Sequence, residues 1–385
     1  MNRHDYDSTM VLQATDTEAL MKDINRMSFQ KAQIAASLSA EKLKKAKRVI
    51  LSGSGDSYAS GVAAGPAFEA LLGIPCESIA LVELTRHYYS ERFQDAVVIL
   101  NSVSGGVSRV VEAAKRANKH GAYTVSLTAN DDSKLSTECR TTVHMELPKK
   151  SNPTPSTPKV IAYTASCAGL LHIAVYMAEL RGAISEETAQ EMREEIFRYS
   201  TDALGTAMDT IAGDSFHIAD TAWKDFKEYV FLGDGGDLGA AMFGAFKCPE
   251  SIGRMAHWDD TENFNHVNYF MKDTDKVGTA VVVSSASPSM SRAQETLRNL
   301  LKLGRYTVAV SDAPASDFPE GVHVISLPKA VYPWLASSFL HLPLALLAAY
   351  SHAILNPEFV PYRNKGGLWT DPGAQRLTAS ELVIL

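Results

Sequence analysis

The chain has 385 residues, 45% of them hydrophobic, enough to bury two cores of ordinary domain size. Its 44 acidic against 37 basic side chains give a net charge of -7, and no basic run alternates with aromatics, so nucleic acid is not an expected partner. Cys76, Cys139, Cys167 and Cys248 are widely spaced without a CxxC pair, which argues against a disulfide framework or zinc knuckle and fits reduced thiols in a cytoplasmic protein.

The opening "MNRHDYDSTMVLQ" is charged and has no apolar core, so a secretory signal is not expected. From Thr15 to Ala46, the spacing of Leu20, Ile24, Met27, Ile34, Leu38 and Leu43 is helical and predicts an N-terminal arm over residues 1–45. Four apolar β-type runs follow, "RVILSGSG", "AVVILNSVSG", "AYTVSLTAN" and "TTVHMEL", separated by helix-like segments such as "SRVVEAAKRANKHG" that end on glycine. Strand runs without polar alternation, spaced by helices, predict a parallel sheet covered on both faces. The Pro/Ser/Thr-rich "KKSNPTPSTPKV", Lys149 to Val160, reads as a loop before the helix "ASCAGLLHIAVYMAEL".

The second half replays this order. "TAVVVSSASPSMSRAQETLRNLLKLGRYTVAVSDA" matches "DAVVILNSVSGGVSRVVEAAKRANKHGAYTVSLTA" without a gap, setting Ser102, Ser104, Ser108, Arg109, Gly121 and Tyr123 opposite Ser285, Ser287, Ser291, Arg292, Gly304 and Tyr306. The expected fold is α/β, a tandem duplication of a doubly wound, flavodoxin-like parallel-sheet unit behind the helical arm. The units are placed at residues 46–200 and 201–365, with a tail at 366–385. The late stretch "WLASSFLHLPLALLAAYSHAIL" is long enough to span a membrane, but Ser337, Ser338, His341, Pro343, Ser351 and His352 make it a buried helix, and no membrane contact is expected.

In open parallel sheets, ligands lie at the carboxyl ends of strands, where helix N-termini favour anions. Two such turns fall in the first unit: "GSGDSYAS", with Ser54, Gly55, Asp56 and Ser57, and "NSVSGGVS", with Ser102, Val103, Ser104 and Ser108. Serine and glycine are also ordinary turn residues, so neither turn is specific alone. The second copy, however, has Leu238 opposite Ser57, and Pro288 and Ser289 opposite Gly105 and Gly106. Having lost those glycines and a hydroxyl, it leaves the anion to the first copy, with Ser57, Ser102, Ser104 and Ser108 as direct contacts.

These turns and the doubled unit resemble the sugar isomerase (SIS) domain family, in its double-domain form. Similar proteins are the isomerase half of glucosamine-6-phosphate synthase, tagatose-6-phosphate isomerase-like proteins and fructosamine-6-phosphate deglycases. In this family a helix reading roughly G-A-x-K-x-x-E precedes a catalytic histidine by sixteen residues; here "GAFKCPE" places Glu250 and "ENFNH" places His266. Moving a carbonyl between C1 and C2 of a sugar requires a base that shuttles a proton, which a partly buried carboxylate serves, so Glu250 is the candidate. An imidazole titrating near neutrality suits ring opening, so His266 is the second. Without that spacing, the two would read as a solvated helix carboxylate and a surface histidine. The resemblance implies that the histidine reaches the site from a neighbouring subunit, hence an obligate homodimer with a shared active site, and that Ser156, Thr157 and Lys159 of "STPK" close over the sugar hydroxyls.

A competing reading of "HWDDTENFNH" is a metal site of His257, Asp259, Asp260, Glu262 and His266; no histidine pair stands at i, i+4, and neither metal nor cofactor is expected. The chain starts Met1-Asn2-Arg3 and its tail "GAQRLTASELVIL" has no lysine, so the amide transfer of the synthase is not expected; an N-terminal helix-turn-helix regulator would need a longer arm. Family members that bind phosphate commonly read S-x-S-G-E-T in the second turn, whereas this chain has Val103 and Val107 there, and Asp56 stands in the first. Fewer donors and a nearby carboxylate point either to a sugar 6-phosphate bound in a modified way or to a less charged C6 anion, such as the sulfonate of sulfoquinovose. The expected activity is thus aldose-ketose isomerisation of an anionic sugar, with a fructosamine-6-phosphate deglycase or a non-catalytic sugar-binding regulator as alternatives.

Overall fold

The computed structural model describes residues 2–148, 158–355 and 377–385. Two five-stranded, wholly parallel sheets organise it. The first contains β1 (Arg48–Ser52), β2 (Cys76–Ser78), β3 (Ala96–Asn101), β4 (Tyr123–Thr128) and β5 (Thr141–His144) in the order β2-β1-β3-β4-β5. The second contains β6 (Glu228–Leu232), β7 (Met255–Asp259), β8 (Val277–Val282), β9 (Tyr306–Ser311) and β10 (His323–Ser326) in the order β10-β9-β8-β6-β7. Counted from the other edge this is again 2-1-3-4-5, the flavodoxin-like order, so the duplication seen in the sequence is a duplication of topology.

The helices run α1 (Thr9–Thr15), α2 (Thr17–Ser28), α3 (Lys31–Ser37), α4 (Ala40–Lys45), α5 (Asp56–Leu72), α6 (Ser108–Lys119), α7 (Lys134–Glu138), α8 (Ile161–Arg181), α9 (Glu186–Arg198), α10 (Leu204–Thr221), α11 (Asp237–Ser251), α12 (Thr261–Val267), α13 (Met290–Lys302) and α14 (His341–Leu355). The arm is therefore several short helices: Leu38 is extended and ends α3. The chain forms two compact units. Residues 20–148, 162–198 and 377–385 build on the first sheet; residues 2–19, 158–161 and 199–355 build on the second.

In each unit the central strands are buried on both faces, as all six residues of β3 and of β8 show. The first core packs Val110, Val111, Ala113, Ala114 and Ala117, the apolar stripe of α6, against Val98 and Leu100 of β3. The second repeats the arrangement with Ala293, Leu297 and Leu300 of α13 against Val230 and Val281. Two apolar helical stretches, α8 and Ala336–Leu355, pass a length-and-composition test for membrane crossing. Their most apolar windows are 94% and 78% buried inside the fold, as in core helices of a protein interior.

Three strands carried no clear sequence signal. β2 has three residues and β10 four, and β7, "MAHWD", overlaps the acidic stretch weighed as a metal site. All three are edge strands, paired on one side only, so they need less apolar sequence than a central strand.

Candidate active site

The two serine turns of the first unit both lie at the carboxyl edge of its sheet. Gly53 leaves β1 where a Cβ would come within 2.7 Å of the Ser57 Cβ and 2.9 Å of the Asn101 carbonyl oxygen, so glycine alone lets the turn pass between β1 and β3. Gly55 (φ 54°) then opens α5, and Ser54 and Gly55 are exposed. At the second turn, Gly105 has φ 60° and a Cβ there would collide with the Ser133 side chain. The Ser102 hydroxyl accepts from the Gly105 N–H at 3.2 Å and the Ser104 hydroxyl from the Gly106 N–H at 3.4 Å. Both O–H protons therefore remain to be donated outward, and the Ser57 hydroxyl makes no hydrogen bond among the described residues. Val103 contributes only its carbonyl, which accepts from Ala129 N–H and the Thr128 hydroxyl.

Two of the predicted contacts are also engaged by other parts of the first unit. Ser108 donates its N–H to the Leu377 carbonyl at 2.7 Å, and its hydroxyl accepts from the Ser380 N–H at 3.1 Å. The C-terminal segment thus occupies the Ser108 N–H, while the Ser108 hydroxyl, an acceptor here, keeps its own proton to donate. It continues along α6, with the Val383 N–H on the buried Glu112 carboxylate at 3.0 Å and the His120 ring on the Leu385 carbonyl oxygen at 2.9 Å. Asp56, read from sequence as a carboxylate beside the ligand, buries its Oδ1. Its charge acts on Tyr163 and Cys167 of α8: burial pushes both groups up, and Asp56 adds to the rise. Ser156 and Thr157 lie outside the described residues; Lys159 is half-buried just before α8.

The second unit has the same turns and fills them with its own carboxylates. Asp237, aligned with Asp56, is buried at the start of α11 and accepts from Ser284 N–H (2.8 Å), the Ser284 hydroxyl (3.1 Å) and the Ser337 hydroxyl (2.7 Å). Asp312 accepts from Ser285 N–H (2.5 Å), the Ser285 hydroxyl (3.0 Å) and Ala330 N–H (3.0 Å). Burial pushes the Asp237 carboxyl up to about 6 in spite of its three donors, with Asp312 adding to the rise. Ser285, the counterpart of Ser102, is thus closed from within.

Glu250 lies near the end of α11 with its side chain 31% exposed. One turn earlier Lys247 is fully buried, its Nζ 2.6 Å from Glu250 Oε2 and 4.8 Å from the centre of the Phe243 ring. His341 of α14 packs edge-on against the same ring, at 5.1 Å. Burial first, and then the Lys247 charge, lower its pKa to about 3, so it is a neutral imidazole. His266 is exposed on α12, whose N-terminus is capped by the Asp260 side chain accepting from Asn263 N–H. Glu250 precedes β7 and His266 follows it, and no hydrogen bond joins them. Lys247, Asp237 and His341 were not singled out from sequence, although the lysine stands in the stretch that located Glu250.

Residues 42–173 match the SIS domain family. Among curated relatives, it is 25% identical over 329 residues to "Glutamine--fructose-6-phosphate aminotransferase [isomerizing]" of Pseudomonas syringae pv. tomato, covering 84% of this chain and 52% of that one. The chain therefore spans about half the length of the curated relatives it matches first. Among solved structures, the C-terminal domain of glucosamine-fructose-6-phosphate aminotransferase from Francisella tularensis superposes with TM-score 0.77 at 18% identity, covering 94% of this chain and 99% of that one. Tagatose-6-phosphate ketose/aldose isomerase from Escherichia coli gives TM-score 0.70 at 19% identity, covering 92% and 93%. At these identities the structural likenesses establish the fold, across nearly the whole chain.

Proposed function

We propose that this protein is an aldose-ketose isomerase acting on a hexose with an anion at C6. The observation that carries the reading is the buried Lys247 ammonium fixing the half-exposed Glu250 carboxylate at 2.6 Å. Burying an ammonium is costly, and it is repaid here by holding one carboxylate in place. Glu250 takes the proton from C2 of the open-chain aldose and returns it to C1, while a proton passes between O1 and O2; the cis-enediol is the intermediate. The hydroxyls of Ser57, Ser102 and Ser104 hold the C6 anion.

His266 opens the ring, and the homodimer reading supplies it as His266 of the partner subunit. Support comes from the surroundings of His266: on edge strand β7 Met255 is 74% and Trp258 41% exposed, and next to His266 Val267 is 62% and Phe270 80% exposed. A free strand edge with large apolar side chains is suited to a subunit interface. Because one carboxylate oxygen of Asp56 is buried, its charge weighs less against a dianion, and relatives named for 6-phosphorylated sugars favour the phosphate over the sulfonate. The reduced thiols fit a cytoplasmic setting.

Glucose 6-phosphate, fructose 6-phosphate, sulfoquinovose and a 6-phosphorylated fructosamine are incubated with wild type and Glu250→Gln. Ketose-aldose conversion of a 6-phosphate is expected, falling to background in the variant while the thermal shift given by the sugar persists. Release of free amino acid from the fructosamine, a preference for sulfoquinovose, or unchanged turnover in Glu250→Gln would each overturn part of the reading: reaction class, anion and catalytic base respectively.

A further inference from the structure

Residues 377–385 belong to the first unit and lie along α6, beside the second serine turn. Their large side chains stay largely in solvent: Leu377 is 57% and Leu385 47% exposed. What fixes the segment is its main chain. The Leu377 carbonyl accepts from Ser108 N–H at 2.7 Å, and Ser380 N–H donates to the Ser108 hydroxyl at 3.1 Å. Farther along, the Glu381 carbonyl accepts from the Arg109 guanidinium, and Val383 N–H donates to Glu112 Oε2 at 3.0 Å. At the end of α6, Lys119 Nζ donates to the Ile384 carbonyl at 3.5 Å, and the His120 ring meets the Leu385 carbonyl oxygen at 2.9 Å.

Glu112 is the centre of this seat. Its side chain is wholly buried, with Arg86 2.8 Å from one oxygen and Arg109 paired with the other. A buried carboxylate is costly unless its oxygens are met, and Val383 adds a main-chain donor to the two guanidinium groups. The same Arg109 that pairs with Glu112 also holds the Glu381 carbonyl, so one buried charge organises both contacts.

The turn beside the segment has little packing of its own. Gly105 and Gly106 give it no side chains there, and Leu135 N–H holds the Gly105 carbonyl at 3.0 Å. Toward the segment lies a cavity of about 230 Å³, lined by Gly106, Ser108, Lys134 and Thr378 among others. A Cβ built on Gly106 would stand 3.9 Å from both Ser104 Oγ and Thr378 Cγ2. The segment thus runs within a side chain's reach of a hydroxyl that holds the anion. With a gap where packed side chains would otherwise be, the hydrogen bonds at Ser108 fix this part of the turn.

We propose that Glu112 is a positioning residue for the anion site: it seats the C-terminal segment through Val383 N–H, and the seated segment holds residues 105–108 where Ser102 and Ser104 meet the sugar's anion. Val383→Pro removes the N–H that Glu112 accepts, and Val383→Ala keeps it. Hydrogen exchange over residues 102–108, followed by mass spectrometry on the full chain, is expected to be at least about tenfold faster in Val383→Pro and as in wild type in Val383→Ala. For glucose 6-phosphate, KM is expected to rise about fivefold or more in Val383→Pro with kcat within about twofold, a split that general loss of structure would not give. Glu112→Ala should match Val383→Pro; if it does not fold, the two Val383 variants still decide. Unchanged exchange in Val383→Pro, equal effects of proline and alanine, or faster exchange with KM unchanged would overturn the proposal. The kinetic arm rests on the isomerase reading: absence of turnover in wild type would overturn that reading alone, and the exchange comparison would still decide whether Glu112 seats the segment on the turn.

Discussion

Replacing Asp237 with Asn tests whether the second unit has closed its own cradle with a buried carboxylate. Burial raises this carboxyl from an ordinary aspartate's 3.8 to about 6. The folded state thus holds the proton more tightly than the unfolded chain, so the stability it contributes is complete below pH 3.8 and is lost as pH rises through about 6. The difference of roughly two pKa units, at ~1.36 kcal/mol each, corresponds to about 3 kcal/mol across that window. An asparagine stays neutral throughout; its oxygen can accept from Ser284 N–H and its amide can donate to the Ser337 hydroxyl, which keeps the hydrogen bonds paired. Thermal midpoints of wild type and Asp237→Asn, measured from pH 3.5 to 7.5, should therefore diverge as pH rises, with the variant gaining about 6–12 °C relative to wild type at ~2–4 °C per kcal/mol. Parallel curves would refute the buried, proton-holding carboxylate and with it the account of a cradle filled from within.

Lys247→Met, which keeps the apolar stem over Phe243 but removes the ammonium, is expected to lower kcat about 10–100-fold with a smaller change in KM, since a mispositioned base costs rate more than binding. Equal loss in kcat and gain in KM would point to a structural role alone. Ser104→Ala should raise KM for the anionic sugar about tenfold, whereas Ser108→Ala should leave it within about twofold because Ser380 and Leu377 already engage that residue. Steady-state kinetics on the pair checks this, and the reverse order would make Ser108 the stronger anion contact.

Much of the fold was legible in advance because the central strands are buried on both faces and so carry uninterrupted apolar runs, as in "AVVILN". The same cause hid β7: at the sheet edge, "MAHWD" has one face in solvent and reads as polar. For the site, the Gly55 and Gly105 turns were visible because positive φ favours glycine. Lys247 was overlooked because a lysine in a helix is ordinarily solvated, and only packing under α14 makes it buried.

By itself, then, the sequence determined a duplicated parallel α/β unit and which copy kept its glycines, since burial on two faces and left-handed backbone are constraints each residue answers locally. Tertiary structure alone decided what fills each cradle. Asp56 and Asp237 occupy one aligned position, yet Asp237 reaches Ser284 and Ser337, 47 and 100 residues away, while Ser108 is met from the far end of the chain by Leu377 and Ser380. A hydrogen bond forms only where folding brings donor and acceptor within about 3 Å. That distance depends on how helices and loops far apart in the chain pack, and no local pattern records it.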